Sequence, residues 1–345
     1  QPSHMEGAES GVVPAVESTA DDITAMRIRG AATIADAAAG ALETQAERST
    51  ADSPAAFKQE LRTAATMLYE TRPTAVSLPN ALRYVLRGMD GDTVADLRSS
   101  TITRAERFRS DLAQAQDRLG EIGANRLQDG ETVMTHCHST DVLACVQAAL
   151  KAGKDLEAIV KETRPRKQGH ITARQLREWD VPVTLIADNA ARRYLDRADH
   201  VLVGADSIAA DGSVINKIGT SGLAVNARER GVPVMVAAQT IKLHPDTLTG
   251  HTVEIEMRAE TELLSDEERA AITGATERGA TEDGDAASRP PASDRGLGVE
   301  NPAFDVTPPR YVDAIVTERG QFPPESIVTL MRELFGEPTD DPWDV

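Results

Sequence analysis

The sequence predicts an α/β protein in which an N-terminal helical domain is followed by a Rossmann-like domain with a mainly parallel sheet. Two observations lead there. From about Asp21 to Leu119, apolar residues recur at three-to-four spacing in IRGAATIADAAAGALETQA, AAFKQELRTAATMLYE and LPNALRYVLRGM, and strand-like runs are missing. After Gly130, short apolar runs alternate with helical patterns: TVMTH before DVLACVQAALKAG, EAIVKET before ITARQLREW, PVTLIAD before NAARRYLDR, HVLVGAD before SGLAVNARERG, then PVMVAAQ, and later AIVTERG before ESIVTLMRELF. Strands alternating with helices imply a parallel sheet covered on both faces.

Taken in order, residues 1–20 are expected to be a tag remnant, Gln1 to Met5, and a small, acidic, disordered lead-in. Residues 21–125 form the helical domain, and 126–345 form the Rossmann-like catalytic domain. Within the latter, residues 265–298 are polar, acidic and rich in Gly, Ala and Pro, which reads as a mobile surface insertion. The segment NPAFDVTPPRYVDAIVTERG after it is expected to resume the sheet.

Composition narrows the function. The 345 residues carry a net charge of -18 with a pI near 4.9, which argues against nucleic acid as a partner, because a phosphate backbone needs a basic face. Only seven residues are lysine, so arginine supplies most of the positive charge. An acidic, lysine-poor surface suits solubility in high salt, as in a halophilic archaeon, although an acidic mesophilic protein has the same signature. No run of about 18 apolar residues is present, so no membrane span is expected, and no signal peptide is evident. Cys137 and Cys145 match neither a zinc site nor a disulfide framework, and a reducing cytoplasm is the simplest setting.

In an open parallel sheet, ligands bind outside the carboxyl ends of the strands. Those ends here carry His136 and Cys137, Arg164, Asp188 and Asn189, Asp206, then Gln239 and Lys242. In THCHSTD, Cys137 lies in a strand-to-helix turn with Ser139 and Thr140 as candidate N-caps. A helix start beside it is expected to lower the thiol pKa and to offer N–H groups to a phosphate. The bland alternative is a cysteine that fills space, which describes Cys145 inside VLACVQAAL. Asp206 follows a buried run and Gly204; a buried acid with a raised pKa can donate a proton at neutral pH, whereas a loop or cap aspartate does nothing chemical.

DGSVINKIGTS places Gly212, Asn216, Lys217 and Gly219 before a helix, a phosphate-cradle composition without being a Walker A motif. Lys242 ends an apolar run in a lysine-poor chain. Arg29 in IRGAA and Arg72 in ETRPTAVSLPN stand beside small residues or Pro; surface arginine is the usual role, but RGAATIA permits an anion to rest on its backbone. The seven histidines do not cluster at ligand spacing, so no metal is expected. No GxSxG elbow, P-loop or GxGxxG fingerprint occurs, and no cofactor is expected.

Together, RGAATIA, ETRPTAVSLPNALR, THCHST, ETRPRKQG, ITARQL, DNAA, GADSIAADGSVINKIGT and NPAFDVTPPRYVDAIVTERG resemble the superfamily shared by sugar-1-phosphate isomerases and the regulatory subunits of eukaryotic translation initiation factor 2B. The likeness runs from about Asp21 to Phe335, broken by the acidic insertion, and is strongest to the archaeal ribose-1,5-bisphosphate isomerases. It implies a phosphorylated pentose substrate, isomerised through an enol phosphate in nucleotide (AMP) degradation. Cys137 and Asp206 would be the proton-transfer pair. Substrate contacts would come from Arg29, Gly30, Ala31, Ala32, Arg72, Ser139, Thr140, Asp141, Asn216, Lys217 and Lys242. It further implies a homo-oligomer, a hexamer built from dimers, and allows a nucleotide such as AMP as activator. The sequence departs from the family pattern at His138 and Asp141, and the insertion is extra. Two rival readings share the motifs: a methylthioribose-1-phosphate isomerase, and a non-catalytic subunit that senses a sugar phosphate or nucleotide.

Overall fold

The computed structural model describes residues 11–274 and 296–337. The tag remnant and most of the acidic insertion lie outside the described residues.

Five helices come first: α1 (Pro14–Thr24), α2 (Ala31–Arg48), α3 (Pro54–Tyr69), α4 (Ser77–Arg87) and α5 (Val94–Ala124). Local chemistry sets their starts. Ser53 and Thr93 cap α3 and α5 by accepting from Ala56 N–H and Asp96 N–H, and Pro14 and Pro54 stand at first-turn positions that need no amide hydrogen. At 31 residues, α5 is about 46 Å long. It packs against α2 at one end and against the helix after the first strand at the other.

The expected disordered lead-in is corrected here. Residues 14–20 belong to α1, which buries Val16, Ala20 and Ile23 while Glu17 and Asp21 stay outward. Three apolar residues on one face are enough to dock a short helix onto α2 and α3, although its composition is that of a solvated tail.

The α/β part follows: β1 (Glu131–Thr135), α6 (Thr140–Lys151), β2 (Leu156–Lys161), α7 (Gln168–Glu178), β3 (Val183–Ile186), α8 (Ala191–Tyr194), β4 (His200–Val203), β5 (Ser207–Ala209), β6 (Val214–Lys217), α9 (Thr220–Arg230), β7 (Val234–Ala237), β8 (Leu243–His244), α10 (Asp266–Thr273), β9 (Phe304–Thr307), β10 (Ala314–Thr317), β11 (Gly320–Phe322) and α11 (Ile327–Phe335). Seven strands form the main sheet in the order β11-β10-β7-β4-β1-β2-β3, parallel except for β11 at the edge. Most of its inner strands are buried nearly throughout, as a sheet covered on both faces requires.

Two differences from the sequence reading concern topology. A second sheet, β8-β5-β6-β9, is built on the hairpin of β5 and β6. FDVT therefore joins this small sheet as β9, and only AIVT returns to the main one. The insertion also begins with structure: α10 opens with a capping box in which Ser265 Oγ accepts from Glu268 N–H and the Glu268 carboxylate accepts from Ser265 N–H.

One apolar core runs from the helices through one face of the main sheet to α9 and α11, and a second lies under α6 and α7 on the other face. Polar anchors join the helices to the loop around β8. Asn80 Nδ2 donates to both Ile241 O at 2.9 Å and Leu243 O at 2.6 Å. Arg83, 4% exposed, grips Asp246 through Nη2 at 2.7 and 2.8 Å to its two oxygens, while Asp246 is 41% exposed.

That asymmetry sets an expectation. Asp246→Ala strands a buried guanidinium and should cost about 3 kcal/mol of unfolding free energy. Arg83→Met leaves only a carboxylate that water can reach, and should cost clearly less. Guanidinium unfolding of the two variants measures the order.

Candidate active site

The strand order places the site. β1, β2 and β3 build outward in one direction, whereas β4, β7 and β10 build in the other, and β1 pairs with β4. The chain thus reverses between β1 and β4, and the crevice beyond their carboxyl ends is the switch point where such sheets bind ligands. Cys137 follows β1 and Asp206 follows β4. Their two turns touch: a Cβ on Gly204 would lie 2.5 Å from Ser139 Oγ, so only glycine lets them approach this closely.

Cys137 sits in the left-handed region at φ 67°, a conformation that costs a β-carbon residue energy. It is held by both backbone groups. Its N–H donates to Thr163 Oγ1 at 2.9 Å, and its carbonyl accepts from Thr172 Oγ1 at 2.7 Å. Thr163 is itself left-handed at φ 67°, with its N–H and that of Arg164 donating to the Asp188 carboxylate at 2.8 Å. Asp188, read as a strand-end reactive group, therefore fixes the loop that fixes Cys137. His136 Nε2 donates to Ile218 O at 2.7 Å, and burial lowers its pKa to about 4, so the ring is neutral at pH 7.

The thiol differs from the expectation. Helix α6 begins at Thr140 with Ser139 as its cap, two residues beyond Cys137, and Ser139 Oγ accepts from Val142 N–H. Burial dominates and pushes the Cys137 thiol above its ordinary value. A backbone hydrogen bond from His138 and the charges of Lys217 and Arg258 pull it back, while Asp206 opposes them. The Asp206 carboxyl is also raised by crowding; Lys242, Arg258 and Lys217 lower it in that order. Asp206 is nevertheless open at the cleft surface, within reach of a solute though hemmed in by protein. Its N–H donates to Ile215 O at 2.9 Å, which ties it to β6.

The remaining candidates fall into three groups. Asn216 and Lys217 end β6. Asn216 Nδ2 donates to Thr220 Oγ1 at 3.0 Å, and Lys217, 3% exposed, has no hydrogen-bond acceptor for its Nζ among the described residues. Around α6, Thr140 Oγ1 accepts from Gln116 Nε2 at 2.9 Å, and the buried Asp141 carboxylate accepts from Gln239 Nε2 at 2.9 Å and lies 3.6 Å from Lys242 Nζ. Asp141 is thus engaged by protein and orients Lys242. Arg29 and Gly30 are exposed, Ala31 is half-buried and Ala32 exposed at the start of α2, which packs against the Thr240–Lys242 turn; Arg72 is half-buried before α4. Among the described residues no hydrogen bond or ion pair joins Arg29 or Arg72 to the Cys137–Asp206 group.

The helix start after Lys217 is not a free cradle. Asp305 of β9 occupies it, accepting from Gly219 N–H at 2.8 Å and from Ser221 N–H at 3.1 Å. Sequence reasoning missed Asp305, 86 residues away from Gly219 in the chain, and it missed Arg258, which no motif marks. A cavity of about 30 Å³ behind the Lys242 turn, between Tyr84, Phe108 and Phe335, has room for a water or two and none for a sugar phosphate. Among the described residues no group of three or more His, Cys, Asp or Glu could hold a metal ion, and no helix is long and apolar enough to cross a membrane.

The protein is thus a doubly wound α/β fold whose switch-point crevice brings a thiol, a carboxyl and nearby lysines together. The chain belongs to the initiation factor 2 subunit family, IF-2B, which it matches over residues 27–324. It is 74% identical over 341 residues to the ribose 1,5-bisphosphate isomerase of Haloterrigena turkmenica, covering 99% of this chain and 100% of that one. It is 64% identical to that of Haloferax volcanii, covering 96% of each. Among solved structures, 5-methylthioribose 1-phosphate isomerase from Pyrococcus horikoshii is similar at a TM-score of 0.62 and 32% identity, covering 93% of this chain and 87% of that one.

Two outcomes check the geometry. Alkylation of Cys137 by iodoacetamide should titrate with a midpoint above that of a free cysteine, because burial outweighs the nearby cations. Cys145, pushed up to about 12, should stay unreacted in the folded protein. Gly204→Ala should lower turnover about 100-fold by forcing the two turns apart, and Ser139→Gly added to it should restore part of the loss.

Proposed function

We propose that this protein is an isomerase that converts ribose 1,5-bisphosphate to ribulose 1,5-bisphosphate. The observation that carries the reading is 74% identity, over nearly the whole of both chains, to a protein of that name. The site supports it chemically. Phosphate on C1 keeps the aldehyde masked, so the ring must open without loss of that phosphate.

Asp206, whose raised pKa favours the acid form, donates its proton to the ring oxygen as the C1–O bond breaks. Cys137 as thiolate removes the proton on C2, and the electron pair of that C–H bond forms the C1–C2 double bond of an enol phosphate. The C2 hydroxyl then returns a proton to Asp206, C1 takes the proton held by Cys137, and the ketose results with both groups restored. Lys217 and Arg258 favour the thiolate. Together with Lys242 they also supply positive charge to a doubly phosphorylated substrate in a chain of net charge -18. Arg29, Gly30, Ala31, Ala32, Arg72, Ser139, Thr140, Asn216 and the Asp141–Lys242 pair complete the proposed substrate contacts.

The same reading carries a hexameric homo-oligomer and AMP as activator, which light scattering and assays with and without AMP check. The haloarchaeal source of the relatives fits the acidic, lysine-poor composition.

Incubation with ribose 1,5-bisphosphate, followed by NMR, should show ribulose 1,5-bisphosphate. Cys137→Ser and Asp206→Asn should each lower turnover by about 100- to 10,000-fold, with substrate binding retained. Turnover of methylthioribose 1-phosphate in place of the bisphosphate, or binding with no product, would overturn the reading.

A further inference from the structure

A crossing segment joins β8 to α10, and Arg258, in its middle, lies near enough to Cys137 and Asp206 for its charge to act on both. Its backbone is pinned on both sides by one buried residue. Arg258 N–H donates to Asn301 O at 2.9 Å, and Asn301 Nδ2 donates to Ala259 O at 3.0 Å. Met257 pairs with Pro302 in an antiparallel bridge, which extends the hold by one residue.

The side chain that this backbone presents has no hydrogen-bonded counterion among the described residues, only a long ion pair. It is 16% exposed, and its Nε and Nη1 are buried without a hydrogen-bond acceptor among the described residues. The nearest carboxylate, Glu256, is 3.8 Å away, beyond hydrogen-bond reach, and is itself 60% exposed. Glu262, the other acid close by, is taken by Arg166, which grips both its oxygens at 2.7 and 3.0 Å.

Sheet register puts this arginine beside Lys217. Lys217 and Phe304 are directly paired across β6 and β9, so their side chains share a face, and the Arg258 guanidinium stands over the Phe304 ring at 6.0 Å from its centroid. Lys217 Nζ is also buried without an acceptor. Two cationic groups with unsatisfied buried donors on one face make a positive site that an oxyanion would satisfy. Cys137 and Asp206 both feel the Arg258 charge, so this positive site lies beside the thiol and the carboxyl.

We propose that Arg258 is a phosphate ligand of the active site and, with Lys217, holds one phosphate of the bound sugar bisphosphate through its fork of N–H donors. This rests on the function proposed above, and it makes the crossing segment part of the specificity for doubly phosphorylated sugars. An arginine fork suits the role because it meets phosphate through two parallel hydrogen bonds.

The test uses the full-length protein at constant ionic strength, with chloride as the background anion. Arg258→Gln keeps a polar end and removes charge; Arg258→Met keeps the apolar stem and serves should the first variant misfold. Either is expected to raise KM for ribose 1,5-bisphosphate about 10- to 100-fold with kcat changed far less, and to weaken binding of inorganic phosphate measured by calorimetry. Arg258→Lys should recover part of both, which a merely structural role does not explain. Wild-type KM and phosphate affinity in the folded charge-free variants would overturn the inference and leave the isomerase reading intact. If the wild type makes no ketose yet Arg258→Gln still weakens phosphate binding, the reaction assignment fails and the anion site stands.

Discussion

The pairing of β1 with β4 is the constraint on which the site depends. The chain after each strand turns to a different side of the sheet, which leaves a crevice beyond their carboxyl ends. A cysteine from one turn and an aspartate from the other, 69 positions apart in the chain, meet there because the sheet reverses between them. The contact of Gly204 with Ser139 sets how near the two turns come, and the left-handed backbone at Cys137 and Thr163 aims the sulfur. Strain at these residues is held by hydrogen bonds to Thr163 and Asp188 and from Thr172, none of which needs to touch a ligand.

The electrostatics follow from enclosure. Burial raises both the thiol and the acid, so each holds its proton more tightly than an exposed group of its kind. A carboxyl so held is suited to donating a proton, whereas a thiol so held would need the local cations in order to act as the proposed base. A net charge of -18 says nothing of this, because a few positive groups at low dielectric outweigh many screened surface carboxylates. Lys242 is shared between Asp141 at 3.6 Å and the field at Asp206, so one lysine both braces α6 and tunes the acid.

Much of this was legible in the sequence because period and position carry it. Buried parallel strands announce themselves as VMT, AIV, VLV and VMVA, and polar residues at their ends mark the crevice. What was not legible depends on partners distant along the chain. Strands β5 and β6 have three and four residues, too short to show a period, so the small sheet was read as a phosphate loop. The helix start at Gly219 looked vacant because its cap, Asp305, arrives from another strand. The lowered thiol pKa expected from a helix dipole failed for a local reason: the cap lies at Ser139, and burial near the sulfur is the larger effect. Arg258 lies in an irregular segment, where no repeat distinguishes a binding arginine from a solvated one. Helix α1 was missed because composition was weighed above the spacing of Val16, Ala20 and Ile23.

Asn80 reaches from α4 across 161 residues to hold the carbonyl of Ile241 and, beside it, that of Leu243. The turn that presents Lys242 is thus shaped by the part of the chain synthesised first. Contacts so distant in sequence carry the largest loop-closure cost and form only when both regions are already compact. Partly folded chains can hold the thiol and the acid on the sheet and still lack a correctly aimed ammonium group. Catalytic competence in this molecule is therefore a property of the finished chain, and an assay of turnover doubles as a census of complete folding.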